Sequence, residues 1–182
     1  MDKMNDYGGE YKPGLDLAEL SPEALVRLAK LYSRLYSAAD GFWYLALKEM
    51  HGNDAALKAD MWVWDRLTQH EMKLITREFN IEGNDITTLL KALQLSPWFQ
   101  FVEVETKIES DTSALFTVTR CKTLEYMERE GEGREEQICG IMESRTLQAY
   151  ASYFNPDIRV ECLQRPPGQQ EPGICCRWRF HV

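Results

Sequence analysis

From residue 25 to residue 46 apolar side chains return every three or four positions: Leu25, Leu28, Tyr32, Leu35, Ala39, Phe42 and Ala46. That is the 3.6-residue period of one helix face, and it predicts a long amphipathic helix with this stripe turned inward. Its start is marked by Ser21-Pro22-Glu23-Ala24, with serine at the N-cap, proline at the first helical position and an acid in the first turn. The helix is expected to run to about Glu49 or Met50, where His51-Gly52-Asn53-Asp54 interrupts it. The same spacing resumes over about 54–79, with Leu57, Met61, Trp64, Leu67, Leu74 and Ile75 as the buried face. Two long helices joined by so short a turn form an antiparallel hairpin. A third, shorter helix begins near Asp85 and carries Ile86, Leu89, Leu90 and Leu93.

After Ser96-Pro97 the period changes. Residues 98–109 alternate in part, Val102, Val104 and Thr106 against Glu103, Glu105 and Lys107, which predicts a strand. Residues 113–120 read as its antiparallel partner. The charged stretch CKTLEYMEREGEGREEQ predicts a short helix and a glycine-containing turn, and about 134–154 is again helical, with Ile138, Met142, Leu147, Tyr150 and Phe154 inward. Asn155-Pro156-Asp157 ends it. Residues 157–163 alternate Ile158, Val160 and Cys162 against Arg159 and Glu161. After the loop QRPPGQQEPG, residues 174–182 put Ile174, Cys176, Trp178 and Phe180 on one face and Cys175, Arg177, Arg179 and His181 on the other. The layout is α+β: an N-terminal helical hairpin plus a further helix, packed on an antiparallel sheet of about four strands, with one long helix between the strand pairs. Residues 1–20, polar and glycine-rich with Pro13, read as an extended arm. Residues 21–182 read as a single domain, helical over 21–95 and sheet-containing over 96–182.

The bulk composition narrows the partners. In 182 residues, 44% are hydrophobic and 27% charged, an ordinary globular balance, and the formal net charge is -8. Nucleic-acid binding needs a basic surface that displaces counterions, so an acidic chain argues against it, and against anionic membrane surfaces. MDKMNDYGGEYKPGLDL has no apolar leader core, and the longest apolar run, FWYLAL at 42–47, is far short of a bilayer span. The expected location is therefore cytoplasmic. No P-loop, dinucleotide-binding or nucleophile-elbow motif occurs.

Five cysteines, an odd number, lie in the C-terminal third: Cys121, Cys139, Cys162, Cys175 and Cys176. In a reducing compartment they are core residues, metal ligands or reactive thiols. On a strand, Cys175 and Cys176 face opposite sides. Cys175 shares its face with Arg177 and Arg179, whose charges would lower its pKa and make it a reactive thiol if that face is enclosed; if the apolar face lines a pocket instead, Cys176 is the functional one. Cys176 shares its face with Trp178 and Phe180. Cys139 and Glu143, four apart on a helix, point at one place. Cys121 follows a strand. Cys121, Cys139 and either Cys175 or Cys176, with Glu143 as a fourth member, would suit zinc, iron or a similar divalent metal; Cys176 is the ligand taken. Against these stands the plain reading of cysteine as a small buried hydrophobe. Trp43 with Phe42, and Glu49 one turn beyond Ala46, would frame a substrate pocket; His70 and Glu71 would form an acid–base pair. An aromatic stripe is more often simple core.

The run DGFWYLALKEMHGNDAALKADMWVWDRL, Cys121 after a strand, Cys139 on the next helix, and the ending NPDIRVECLQRPPG…CCRWRF resemble a group of bacterial and archaeal cytosolic proteins related to the L-2-amino-thiazoline-4-carboxylic acid hydrolase family, and more distantly the 4-vinyl reductase domain, over about residues 22–182. Where that hydrolase ending carries an acid after the last cysteine, Arg177 follows Cys176 here. The resemblance implies a hydrolase that opens a small sulfur-containing ring, with Cys121, Cys139 and one of Cys175 or Cys176 in its pocket.

Three readings follow. In the first, a hydrolase of cyclic C–N bonds acts on a small molecule in a cysteine-lined pocket: Cys139 or Cys175 attacks or a metal activates water, Glu143 moves the proton, and Arg177 or Arg179, with Trp178 beside them, holds a carboxylate. In the second, the same pocket senses a small-molecule or metal ligand without turnover. In the third, the chain is a structural homodimer whose cysteines are core.

Overall fold

The structure, a computed structural model, describes residues 3–168 and 171–182. Helix α1 (Pro22–His51) starts as its sequence dictates: Ser21 Oγ accepts the Ala24 N–H at 3.1 Å, with Pro22 at the first helical position. It ends at Gly52, whose φ of 86° is open to glycine and strained for other residues. Helix α2 (Asn53–Glu78) begins at once, so one residue makes the turn expected of four. Tyr44 donates to Asn53 Oδ1 at 2.8 Å, and the Tyr36 and Trp64 rings meet edge to face with centroids 6.4 Å apart, which fixes the two helices antiparallel.

The apolar stripe of α1 does not face inward. Leu25, Tyr32, Leu35 and Phe42 are exposed, while Ser33 and Tyr44 are buried, and Tyr36, Ser37 and Asp40 are half-buried. The inward side is held by aromatic and hydrogen-bond contacts instead, including Ser33 Oγ donating to the Pro97 carbonyl. On α2 the expected face is largely correct, with Leu57, Trp64 and Ile75 buried, but Leu74 is exposed.

Helix α3 (Ile86–Leu93) is capped by Asp85, which accepts from the Thr88 N–H at 2.7 Å. Strands β1 (Glu103–Ser110) and β2 (Ser113–Arg120) follow, then α4 (Lys122–Glu130), ended by Gly131. The long helix predicted next is present but interrupted. A short α5 (Glu135–Gln137) leads into a π-helical turn, Ile138–Met142, and then α6 (Glu143–Phe154). Strands β3 (Arg159–Gln164) and β4 (Cys176–His181) complete an antiparallel sheet of order β1-β2-β4-β3. The fold class is α+β, as the periodicity predicts.

The register sets the core. Phe116 opposes Trp178, Ala114 opposes Phe180, and Val118 opposes Cys176. These residues share the inner face, where Phe116, Trp178 and Phe180 pack against Met72, Leu89, Leu93 and Ile158 in one hydrophobic cluster. The other face is polar: Arg179 pairs with Glu161 at 3.0 Å and Glu109 at 3.5 Å, and Arg177 with Glu171 at 2.9 Å. The segment before α1 is doubled back rather than extended. The Met4 N–H donates to Glu19 O, and the Ser21 N–H to Met4 O. Among the described residues no helix is long and apolar enough to cross a membrane.

Candidate functional site

On α1, Ser37-Ala38-Ala39-Asp40-Gly41 is a run of short side chains. Ser37, Ala38 and Gly41 border a space that their side chains do not fill. The result is a cavity of about 550 Å³ bounded by α1, α2, β2, α4 and the π turn with α6. This is within the range of about 300–1,000 Å³ typical of small-molecule sites. Its wall is aromatic. Trp64 stands edge-on to Trp98 with centroids 6.3 Å apart, and Trp98 lies 5.8 Å from Phe101, with Phe116 contributed by the sheet.

Set into this wall are carboxyls held away from water. Glu143 lies deep in the protein yet keeps accessible surface, because it opens on the cavity. Burial alone pushes it up to about 7. Asp60 is also raised to about 7, chiefly by burial and then by Asp40, against the pull of the Trp64 indole and Arg134. Burial raises Asp40 as well, with the Trp64 N–H opposing it. That indole points toward both acids without a well-formed hydrogen bond to either. Behind them Glu71 is raised by burial, although Tyr150 donates to its Oε2 at 2.8 Å. Among the described residues its Oε1 and the Tyr36 hydroxyl, both buried, have no hydrogen-bond partner. Arg134 lies over the Tyr44 ring at 4.9 Å and is held by Glu130, which also binds Lys48 at 2.9 Å. Near neutral pH Asp60 and Glu143 are therefore poised between neutral and charged forms, as groups that exchange protons with a ligand must be.

The topology brings Cys121, Cys139, Cys176 and Glu143 into one neighbourhood, as the sequence pattern suggests. Each of the three thiols feels the Glu143 charge, and Cys121 and Cys139 both act on Cys176. Cys121 precedes α4, Cys139 sits in the π turn and Cys176 opens β4. Arg165 packs so closely on that turn that a Cβ on Gly140 would sit 3.0 Å from its guanidinium carbon. Yet the cysteines do not line the cavity; of this group only Glu143 does. Among the described residues no three His, Cys, Asp or Glu side chains are arranged to hold a metal ion, so the expected zinc or iron set is not assembled. The thiols stand within electrostatic reach of one another, not in ligand geometry.

Nor is any thiol activated. Burial raises all five, Cys121 to about 11 and Cys139 and Cys176 further. Cys175 corrects the sequence expectation directly. It lies outside β4, its N–H donating to Val118 O at 2.8 Å and its Sγ near Thr119 O at 3.5 Å. Arg177 and Arg179 are engaged by carboxylates, and the charges that reach Cys175 are those of Glu128 and Glu125, which raise it.

The other expected residues are elsewhere. Trp43 and Glu49 face solvent and Trp178 is core at 1% exposure, whereas Phe42, expected beside Trp43, does border the cavity while remaining largely exposed. Arg177 is on the far side of the sheet, held by Glu171. His70 is exposed, and Glu71 is partnered by Tyr150 in its place. Asp40, Asp60, Trp98, Phe101 and Arg134 were not expected at a site. Their one sequence signal is the small-residue run around Asp40, a patch of helix with nothing to fill the space beside it.

Residues 18–182 match a family of unknown function (DUF6125), and the chain belongs to that family. No curated protein and no solved structure matches it.

Proposed function

We propose that this DUF6125 member binds a small, predominantly apolar molecule in the cavity between the helical hairpin and the sheet. The observation that carries the reading is the cavity itself: about 550 Å³, walled by aromatic rings, with Asp60 and Glu143 both near pKa 7. A carboxyl half-protonated at neutral pH both donates and accepts a hydrogen bond. Such groups orient a ligand through one polar function while the rings bury the rest. The likeness of the chain's ending to the thiazoline-carboxylic acid hydrolase family, and distantly to the 4-vinyl reductase domain, points toward the same ligand size.

One observation favours turnover as a second reading. Glu143 has the environment of a general acid–base, an apolar surrounding that matches its pKa to the working pH. Hydrolysis in this site would run through Glu143 and water rather than through a thiolate, since the cysteines are held protonated and off the cavity wall.

The test is a titration with a neutral solvatochromic dye such as Nile red. One saturable site is expected, with energy transfer from Trp64 and Trp98. Ala38→Trp, at the cavity wall, should abolish it. Dye uptake without saturation, or unchanged in that variant, refutes the reading.

A further inference from the structure

Beside the cavity, and sharing Arg34, Phe101 and Lys122 with it, is a second depression of about 380 Å³, completed by Arg27, Lys30 and Gln100. Four cations thus crowd one mouth in a chain whose formal net charge is -8. Arg27 is tied to Asn5 through its backbone carbonyl and, at 3.2 Å, its Oδ1. Among the described residues none of the four has a carboxylate within ion-pair distance, although the protein forms such pairs elsewhere, on Lys48, Arg145 and Arg179. Repulsion among clustered like charges costs stability unless an anion sits between them.

We propose that the ligand is an acidic amphiphile, its apolar body against Trp64, Trp98 and Phe116 and its anionic head, carboxylate or phosphate, among Arg27, Lys30, Arg34 and Lys122. The proposal rests on the cavity being a ligand site. Charge-assisted bonds at the mouth fix the head, and Phe101, common to both spaces, covers the junction. A cationic head is disfavoured at this mouth, where four cations already stand.

The full chain is titrated at low salt with decanoic acid, decyl phosphate, decanol and decyltrimethylammonium, each below its micellar concentration, by calorimetry and tryptophan fluorescence. Decanoate or decyl phosphate should bind at least about tenfold more tightly than decanol. In K30E/K122E that ratio should fall to about one. Preference between the acid and the phosphate tells which head is native. Equal affinity for decanol, or preference for the ammonium compound, overturns the anionic head while leaving the cavity reading standing. Binding of none of the four overturns both.

A separate observation carries a second proposal. The outward stripe of α1 has no charged residue along it from Leu25 to Met50, and Leu25, Tyr32, Leu35, Phe42, Trp43 and Met50 are between 39% and 72% exposed. At about 200 Å² per fully exposed large side chain these six present roughly 700 Å², before Leu28, Ala39 and Ala46 are added. A stable interface buries about 800 Å² per partner, and monomers rarely leave such a patch open. We infer that a second copy of this chain covers the stripe, α1 against α1 about a two-fold axis near Leu35, the stripe's midpoint. Sedimentation of the full chain at about 100 μM should give a dimer, and Leu35→Glu, which alters no buried contact, a folded monomer. A monomeric parent, or a dimer untouched by both Leu35→Glu and Tyr32→Lys, overturns it.

Discussion

Glu143→Gln isolates the energy stored in one buried acid. The unfolded chain holds this carboxyl near 4.5, and burial lifts it to about 7 in the folded state. No hydrogen bond or cation offsets the burial, so the rise corresponds to about 3 kcal/mol of differential stability. Below about pH 4.5 the group is protonated in both states and costs nothing. Between about pH 4.5 and 7 the unfolded chain ionises while the folded one keeps its proton, so stability falls as pH rises. Above about 7 both are ionised and the full penalty remains. Glutamine keeps the shape and removes the ionisation. The stability of E143Q minus that of the parent should therefore climb by about 3 kcal/mol from about pH 4.5 to about pH 8, since Asp60, Asp40 and Glu71 titrate in both chains and largely cancel. Urea unfolding, followed by tryptophan fluorescence and far-ultraviolet circular dichroism at several pH values, measures this. A difference that stays flat within about 0.5 kcal/mol across that range would refute the account of Glu143 as a desolvated, unpaired acid.

Other perturbations test neighbouring parts. At neutral pH Cys162, exposed on the edge strand, should alkylate first, and Cys121, Cys139 and Cys176 only on unfolding; timed iodoacetamide pulses with peptide mapping would contradict this if a buried thiol reacted faster. Tyr150→Phe strands Glu71 Oε2 and should cost about 1–3 kcal/mol in urea unfolding, more at high pH than at low, because Glu71 is raised by burial and the lost bond favours its charged form. Phe116→Ala, at the centre of the inner sheet face, should cost about 3–5 kcal/mol by the same measurement. Arg145→Ala removes a two-pronged pair to Asp65 at 2.5 and 2.6 Å, yet Arg145 is exposed and Asp65 partly so, and the loss should stay under about 1 kcal/mol.

Period and punctuation made most elements readable in advance. Ser21-Pro22 and Asp85 mark helix starts because they satisfy first-turn N–H groups, and the strands alternate because one sheet face is buried. Periodicity also found the apolar stripe of α1, but it cannot say which side of a helix meets the protein. Both sides of α1 carry rings, Tyr36 and Tyr44 on one and Tyr32 and Phe42 on the other. The choice between them was made by partners distant in sequence, Trp64, Asn53 and the Pro97 carbonyl. The π turn was not foreseen: its apolar positions Ile138 and Met142 fit an α-helical spacing, and the flanking Gln137 and Glu143 keep ordinary helical dihedrals.

The cysteines convey how far residue type alone carries chemistry. Their meeting place was legible, because a strand end, a helix start and the adjacent strand must converge on an antiparallel sheet. Their reactivity was not, because it depends on the sign of what surrounds them. A thiol beside free arginines is acidic; here the arginines of β4 are spent on Glu171, Glu109 and Glu161 across the outer face, and the inner thiols meet a buried carboxyl. The same logic hid Asp40 and Asp60. An acid on a helix ordinarily means a solvated surface, and what turns these two inward is the space left by Ser37, Ala38 and Gly41 together with the Trp64 indole. A cavity is made by side chains too short to fill it. Substituting those short residues, rather than the cysteines, is therefore the perturbation that should reach the site most directly.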